Sequence, residues 1–172
     1  DVCSSDLVRQ FLQTDRVVIY RFEPDLSGVI VVESVTEKTQ SVFGYKLHDP
    51  CFAEKHLERY QQGNVHVVDD VEQASLVTCY HDVLKKIGVK ANLVVPIVAK
   101  DELWGLLITH HCHAPRSWQA SEVELLRQLA TQVGIAVQQA ELYDRVQSLN
   151  VYLEQKVNQR TTKLERSIKF AT

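Results

Sequence analysis

Two cysteines, Cys51 and Cys79, lie in nearly the same local sequence setting, which bears on the reactivity of their thiols. Cys51 follows Asp-Pro in "DPCF", and Cys79 follows Thr78 in "TCYH". Asp-Pro and Thr are typical of the first positions of a helix, so both thiols are predicted to lie at helix N-termini. The positive end of the helix dipole favours a thiolate there. The pair therefore predicts two reactive thiols, although either cysteine alone would be read as a small buried side chain.

The run "HHCH", residues 110–113, offers further ligating groups. On a strand its side chains alternate, so that His110 and Cys112 face one way and the other two histidines face the opposite way. With Cys79 and His81 these groups would make a Cys/His zinc set, but the spacing matches no standard zinc module. Cys79 and His81 lie two residues apart on a predicted helix and would not face each other as a hydrolase pair. Histidines at a strand end near the surface remain the simpler interpretation.

Composition excludes several classes of function. No nucleophile elbow, zinc-protease helix, P-loop or dinucleotide-binding motif occurs, so we predict no enzyme. The net charge of −3, without a basic run, argues against nucleic-acid binding. No apolar run approaches the ~20 residues of a membrane span, and no signal peptide is recognisable, so we expect a cytoplasmic protein. The four cysteines are expected to be reduced, ligating or reactive rather than structural disulfides.

The elements that must position these residues follow from the apolar periodicity. Strands are predicted over 16–23, 29–35, 65–68, 91–99 and 103–112, and helices over about 50–62, 79–87 and 119–168. Short polar connections join the first two and the last two strands into hairpins. Residues 1–7 follow neither period, and we give Cys3 no role. Ser121 and Glu124 have the spacing of a capping box at the start of the last helix. The fold class is therefore α+β, an antiparallel sheet with helices on its faces.

The last predicted helix is longer than one domain needs. Fifty residues of helix extend ~75 Å, and Gly134 is the one glycine in the stretch. Its second half carries a thin apolar stripe with coiled-coil spacing, formed by Leu142, Val146, Leu149, Leu153, Val157 and Leu164. We predict a compact domain over 1–143 and a helical linker over 144–172 that pairs with a second copy. The alternative is a helix that docks back on its own domain.

Several motifs, in order, resemble one family. The strings "DPCF" (49–52), "CYHDVLKKIGVKANLVVPI" (79–97) and "LWGLLITHHCHAPRSW" (103–118) are similar to the bilin-binding GAF domain of a cyanobacteriochrome, in the phytochrome superfamily. The subgroup that they resemble is marked by an Asp-x-Cys-Phe motif and two cysteines. "DRVVIYRF" and "VVESV" resemble the opening strands of that domain. The tail resembles the signalling helix that leads to a downstream PAS or histidine-kinase module.

The resemblance implies a photoreceptor with a linear tetrapyrrole, phycocyanobilin or phycoviolobilin. Cys79 would hold the pigment permanently through a thioether to its A ring. Cys51 would form a second, reversible thioether to the bridge between rings B and C, which shortens the conjugated system. The chain would then photoswitch between a blue- or violet-absorbing and a green-to-orange-absorbing state. Pigment attachment would be autocatalytic, and any kinase or cyclase output would lie outside this chain.

The resemblance also implies which side chains contact the pigment. Asp49 would accept hydrogen bonds from pyrrole N–H groups, and Arg59 would hold a propionate with paired donors. The full implied set of contacts is Asp49, Phe52, Arg59, Tyr60, Tyr80, His81, Trp104 and His110. One departure concerns the residue after the anchor cysteine, which in family members is often histidine. Here it is Tyr80, with His81 one place later, so either side chain could take that role.

Two other functions compete with the photoreceptor. One is a GAF sensor that binds a small ligand, such as a cyclic nucleotide or haem, without a covalent bond. The other is a structural module that only dimerises. Covalent pigment on the co-expressed chain separates the first hypothesis from both alternatives.

Overall fold

The computed structural model describes residues 2–25, 27–37, 41–47 and 57–169 of the 172-residue chain. It divides into two compact units, 1–134 and 135–172. The helices of the described part are α1 (Val2–Leu12), α2 (Leu57–Gln61), α3 (Thr78–Lys86) and α4 (Ala120–Lys169). Its strands are β1 (Arg16–Phe22), β2 (Gly28–Val35), β3 (Lys46–Leu47), β4 (His66–Val68), β5 (Ala91–Ala99) and β6 (Glu102–His111).

The strands form one antiparallel sheet in the first unit, in the order β3-β2-β1-β6-β5-β4. Both predicted hairpins, β1–β2 and β5–β6, are present. Lys100 and Asp101 connect β5 to β6 with φ angles of 53° and 62°. Positive φ at both central residues gives a two-residue turn whose twist matches that of the strands. The predicted antiparallel α+β fold is confirmed.

Each face of the sheet packs against helices, because the strand side chains alternate between two apolar clusters. On the first face, Leu93 and Ile97 pack in one cluster with Leu12 of α1 and Leu126 of α4. On the second face, which we call the cavity face, Val18, Tyr20, Ile30, Val94 and Leu106 cluster with Tyr60 of α2. Helices on both faces were predicted, and the structure confirms them.

The N-terminal helix differs from the sequence prediction. Residues 1–7 lacked a period, but α1 begins at Val2. Tertiary contacts fix this segment: Ser5 is buried, Ser34 of β2 donates to the Asp6 carboxylate, and Arg9 Nε donates to Ser34 Oγ at 2.8 Å. Polar contacts with a strand therefore stabilise a turn that the apolar pattern does not reveal.

Two predicted helix caps also shift along the chain. Helix α3 begins at Thr78, and its N-cap, Val77, makes no side-chain capping bond. For α4 the backbone N–H of Gln119 donates to the Glu122 carboxylate at 2.8 Å, so the cap lies two residues before the predicted Ser121. Arg116 binds the same carboxylate and fixes it in that position.

The second unit consists of the continuation of α4. Its predicted apolar stripe is exposed, from 48% at Val146 to 66% at Leu164. The predicted boundary between residues 143 and 144 is nine residues beyond the boundary of the two units, and the assignment of 144–172 as a linker stays a prediction. None of the helices in the described part is both long and apolar enough to cross a bilayer.

Candidate functional site

An apolar cavity lies between the cavity face of the sheet and helix α3. It holds about 520 Å³ of empty space, part of it open to solvent. Strands β1, β2, β5 and β6 form its floor, helix α3 covers it, and the segment after β2 closes one side. Its lining residues are Val18, Tyr20, Ile30, Val42, Tyr45, Tyr80, Val83, Leu84, Ile87, Asn92, Ile108 and His110. An apolar lining with few polar groups is typical of a small-molecule site.

Cys79 lies in the first turn of helix α3, next to the cavity-lining Tyr80. Residues four apart lie on the same face of a helix, and Val83 and Ile87, which follow Cys79 by one and two turns, both line the cavity. Cys79 is half-buried in the first turn. Cys79 is therefore a near neighbour of the cavity lining, and its role as the anchor stays a prediction.

The redox state of Cys79 differs from the expectation of reduced thiols. Its sulfur is in a disulfide, whose partner is not among the side chains that the structure describes. Cys112 is a free cysteine, as expected. Chemistry at Cys79 therefore requires prior reduction.

A buried polar row crosses the cavity face on three strands. His110 of β6 pairs in register with Arg16 of β1 on one side and Asn92 of β5 on the other. The three residues are 3%, 0% and 1% exposed, respectively. Arg16 Nε donates to His110 Nδ1 at 3.1 Å, and Arg16 Nη2 donates to the Ile87 carbonyl at the end of α3, also at 3.1 Å.

Burial sets the protonation of this row. It lowers the pKa of His110 well below its ordinary value, and the adjacent positive charge of Arg16 lowers it further, so the imidazole is neutral. Burial also lowers the pKa of Arg16, but a guanidinium stays charged in proteins. The row therefore carries one positive charge on the cavity floor.

Asn92 leaves a polar atom without a partner. Its Nδ2 donates to Tyr80 Oη at 2.5 Å, and the Tyr80 ring stacks on His66 with centroids 5.5 Å apart. Asn92 Oδ1 is buried and accepts no hydrogen bond from the described residues. The hydroxyl can donate or accept, so whichever way the amide is turned, one end remains unsatisfied. A buried, unsatisfied amide costs about 1–3 kcal/mol, which a ligand with a matching group would recover.

The structure brings some predicted contact residues to the cavity face. Tyr80 and His110 line the cavity, and Tyr60 is buried in the adjoining cluster, where burial raises the pKa of its phenol. Of the two candidates after the anchor, Tyr80 therefore takes the inward position. His81 lies outside the lining set, with its Nδ1 4.0 Å from the Asp82 carboxylate.

Other predicted contacts are not brought together with these. Trp104 packs against the cluster on the opposite face of the sheet, because a register shift after Ile97 interrupts the alternation along β6 at this residue. Arg59 is exposed on α2. Asp49, Cys51 and Phe52 lie outside the described residues, so their roles stay predictions.

A separate polar group closes the end of β6. Asp15 Oδ2 is 3.2 Å from His111 Nδ1, Asp15 Oδ1 is 3.0 Å from His113 Nδ1, and the backbone N–H of Cys112 donates to Asp15 at 2.6 Å. Within the described residues no group of three or more His, Cys, Asp or Glu side chains could hold a metal ion. The "HHCH" run is therefore divided between the cavity floor and this ion-paired strand end.

Comparison with known proteins assigns the fold. The family model described as "GAF domain" matches residues 5–137. The chain belongs to the GAF domain family. A circadian input-output histidine kinase, CikA, of Thermosynechococcus vestitus is 38% identical over 173 residues, which cover 95% of this chain. This GAF chain spans 24% of that kinase.

Solved GAF structures superimpose closely on the chain. The blue-light absorbing form of the Thermosynechococcus elongatus PixJ GAF domain has a TM-score of 0.79 and 33% identity, covering 86% of this chain and 88% of that one. The phycocyanobilin-bound GAF domain from a cyanobacterial phytochrome has a TM-score of 0.76 and 30% identity, covering 83% and 84%. Strong likeness to photoreceptor GAF domains is therefore established.

Sequence reasoning missed two polar residues of this GAF site: Asn92, which lines the cavity, and Arg16, which binds the lining residue His110. Asn92 had a signal, because it is an isolated amide in an otherwise apolar strand. Arg16 had none, since it stands beside Asp15 at the start of a strand, where charged residues are ordinary. Only the register of β1 against β6 brings it to His110.

Proposed function

We propose that the chain is the light-sensing module of a larger signalling protein and binds a linear tetrapyrrole covalently through Cys79. The observation that carries the proposal is the position of Cys79 on α3, next to Tyr80 and one turn before Val83, both of which line the apolar cavity. The likeness to a phycocyanobilin-bound GAF domain supports the choice of pigment class.

The cavity residues fit such a pigment. The aromatic and aliphatic lining suits flat, conjugated rings, and three tyrosines, Tyr20, Tyr45 and Tyr80, contribute to it. The unsatisfied Asn92 amide and the neutral His110 supply polar groups for ring N–H and oxygen atoms. When bound, the bilin supplies absorption of visible light and isomerisation of a double bond.

The pigment would be attached through the thiol of Cys79. The Cys79 sulfur bonds to one carbon of an exocyclic double bond, and the thiol proton goes to the other carbon, so no oxidant is needed. Because Cys79 is in a disulfide, a reductant must first return it to the thiol. We assign Cys51 the second, reversible thioether, which gives the blue- or violet-absorbing state, and its release gives the green-to-orange one.

The remaining assignments extend this function. We propose phycocyanobilin or its isomer phycoviolobilin as the pigment, and a histidine kinase or another output domain beyond α4, as in the CikA relative. The chain itself would catalyse only its own pigment attachment, in the cytoplasm, as a homodimer through α4.

Pigment attachment tests the proposal directly. We expect the chain, co-expressed with enzymes that make phycocyanobilin and kept reduced, to give a coloured protein. Its band should show zinc-induced fluorescence after denaturation on a gel. A colourless, non-fluorescent band from reduced, folded protein would end the photoreceptor assignment and leave the non-covalent GAF sensor.

Cysteine variants separate the two thiol roles. Cys79→Ala should lose covalent pigment, whereas Cys51→Ser should keep it and lose the blue-absorbing state. Cys112→Ser is the matched control, because burial raises the pKa of the Cys112 thiol and makes it a poor nucleophile. Full covalent pigment in Cys79→Ala, or an unchanged blue band in Cys51→Ser, would contradict the respective assignment.

A further inference from the structure

A buried arginine joins two parts of the candidate site. Arginine is almost never fully buried without a partner, and Arg16 is 0% exposed. It donates through Nε to His110 on the cavity floor and through Nη2 to the Ile87 carbonyl at the end of α3. The same guanidinium therefore orients a cavity histidine and binds the C-terminal end of the helix that carries Cys79.

The direction of the first bond determines the position of the imidazole proton. A guanidinium has donors only, so the Nδ1 of His110 must accept and carries no proton. A neutral imidazole then has its proton on Nε2. No acceptor for His110 Nε2 is recorded among the described residues, and the ring lines the cavity. The edge of the ring away from Arg16 is therefore available to a ligand.

We propose that Arg16 is a positioning residue that holds His110 in the Nε2–H tautomer, so that the cavity offers its ligand a hydrogen-bond donor at this point. The ligand group placed there must then be an acceptor, a carbonyl or carboxylate oxygen, and not a pyrrole N–H. The neighbouring unsatisfied amide of Asn92 remains for a second polar group of the ligand. The identity of the ligand as a bilin rests on the proposed function, whereas the tautomer is a property of the chain without pigment.

The tautomer can be read in the pigment-free chain by ¹⁵N NMR of labelled histidine, with His110→Gln to assign the signals. The two nitrogens of a neutral imidazole differ widely in chemical shift according to which one is protonated. We expect a single Nε2–H form for His110. A predominant Nδ1–H form, or a charged ring at neutral pH, would overturn the proposal.

Arg16 variants test whether the arginine is the cause. Arg16→Met removes both donors and should populate the Nδ1–H form, whereas Arg16→Lys keeps a donor and should restore Nε2–H. Arg116→Met is the control, because Arg116 also donates to backbone carbonyls but lies away from the cavity. An unchanged single tautomer in folded Arg16→Met would refute the role of Arg16. If Arg16→Met does not fold, loss of the Nε2–H form in Arg16→Lys would refute the role of Arg16 instead.

The pigment-loaded protein tests the consequence for the ligand. Arg16→Met should keep covalent pigment on Cys79 but shift its absorption maximum, since the donor to a pigment oxygen is lost. A changed tautomer with an unchanged maximum would refute the contact with the pigment. Absence of covalent pigment from the unsubstituted chain would instead refute the proposed function, and the NMR result would stand by itself.

Discussion

At the scale of single residues, Asp15 shows how one carboxylate fixes a strand end. Burial acts to raise its pKa, but hydrogen bonds from the Cys112 N–H and His113, with the charges of His111 and His113, outweigh that effect, and the pKa is lowered. The hydrogen bond and charge of Asp15 in turn raise the pKa of His113. Asp15 therefore ties the residue before β1 to the end of β6, and His110 lies one residue before that end.

The pKa shifts of Asp15 and His113 predict the pH range in which their contact stabilises the fold. The Asp15 contribution is present above the unfolded carboxyl pKa of about 3.9 and is lost as pH falls through the lower folded value. The His113 contribution is present below about 6.5 and is lost as pH rises through the higher folded value. Asp15→Asn should therefore lower the melting temperature most between about pH 4 and 6.5. Because His113 is 57% exposed, solvent screening should keep this difference to a few degrees.

Thermal unfolding followed by circular dichroism across pH 3–9 checks this prediction. Glu58→Gln, an exposed carboxylate on α2, is the control and should leave the pH profile unchanged. A difference between Asp15→Asn and the unsubstituted chain that does not vary with pH would contradict the ionic origin of the effect.

The candidate site was partly predictable from its residues. The motifs placed Tyr80 at a helix start and His110 at a strand end, and both line the cavity, whereas the role of Cys79 stays a prediction. Trp104 was expected among the pigment contacts, but it packs on the other face of the sheet, because a register shift between β5 and β6 changes an alternation that the sequence alone does not reveal. Arg16 reaches His110 across 94 residues of sequence, a contact that local patterns do not contain.

At the scale of elements, Gly134 allows α4 to pack closely against β5. A Cβ atom at this position would lie 2.2 Å from the Val98 carbonyl oxygen. Glycine within a helix costs about 0.5–1 kcal/mol relative to alanine, so it needs a packing reason, and this contact with backbone provides one. The close approach lets α4 cover the first face of the sheet.

Gly134→Ala should consequently destabilise the domain despite its better helix propensity. The backbone at Val98 cannot move aside as a flexible side chain would, and overpacking of this kind costs about 1–3 kcal/mol. We expect a lower urea midpoint with an unchanged slope. Gln132→Ala, on an exposed part of the same helix, controls for propensity. Equal or greater stability of Gly134→Ala would show that the helix can shift without cost.

Elements were predicted best where the apolar pattern was strong. Strands β5 and β6 match their predicted bounds within one residue, because continuous apolar runs ended at a polar turn. The turn of helix α1 before Leu7 and the strand β3 were missed, since polar contacts with β2 and a two-residue pairing leave no periodic signal.

At the scale of the whole molecule, the second unit exposes an apolar stripe that a second helix could bury. Leu149 and Leu153 are more than half exposed, on a helix whose polar residues bond largely within it, such as Gln147 to Tyr143 and Thr161 to the Val157 carbonyl. A stripe at these spacings suits a coiled coil of two copies.

Pairing through α4 predicts a cross-link at Leu153. In a chain with the native cysteines replaced by serine, Leu153→Cys should form a disulfide between two copies on mild oxidation. Gln155→Cys, about 200° round the helix, should not do so at low concentration. Equal cross-linking at both positions, or none at Leu153 in a dimer verified by light scattering, would favour a helix that docks on its own domain.

The edge strands of the sheet affect how the protein associates at high concentration. The outermost strands of the described sheet are its two shortest, with two residues in β3 and three in β4. Long free edges invite strands of other chains and lead to aggregates, whereas edges this short present few open backbone groups. Concentrated preparations should therefore resist fibril formation, and self-association should proceed through side chains.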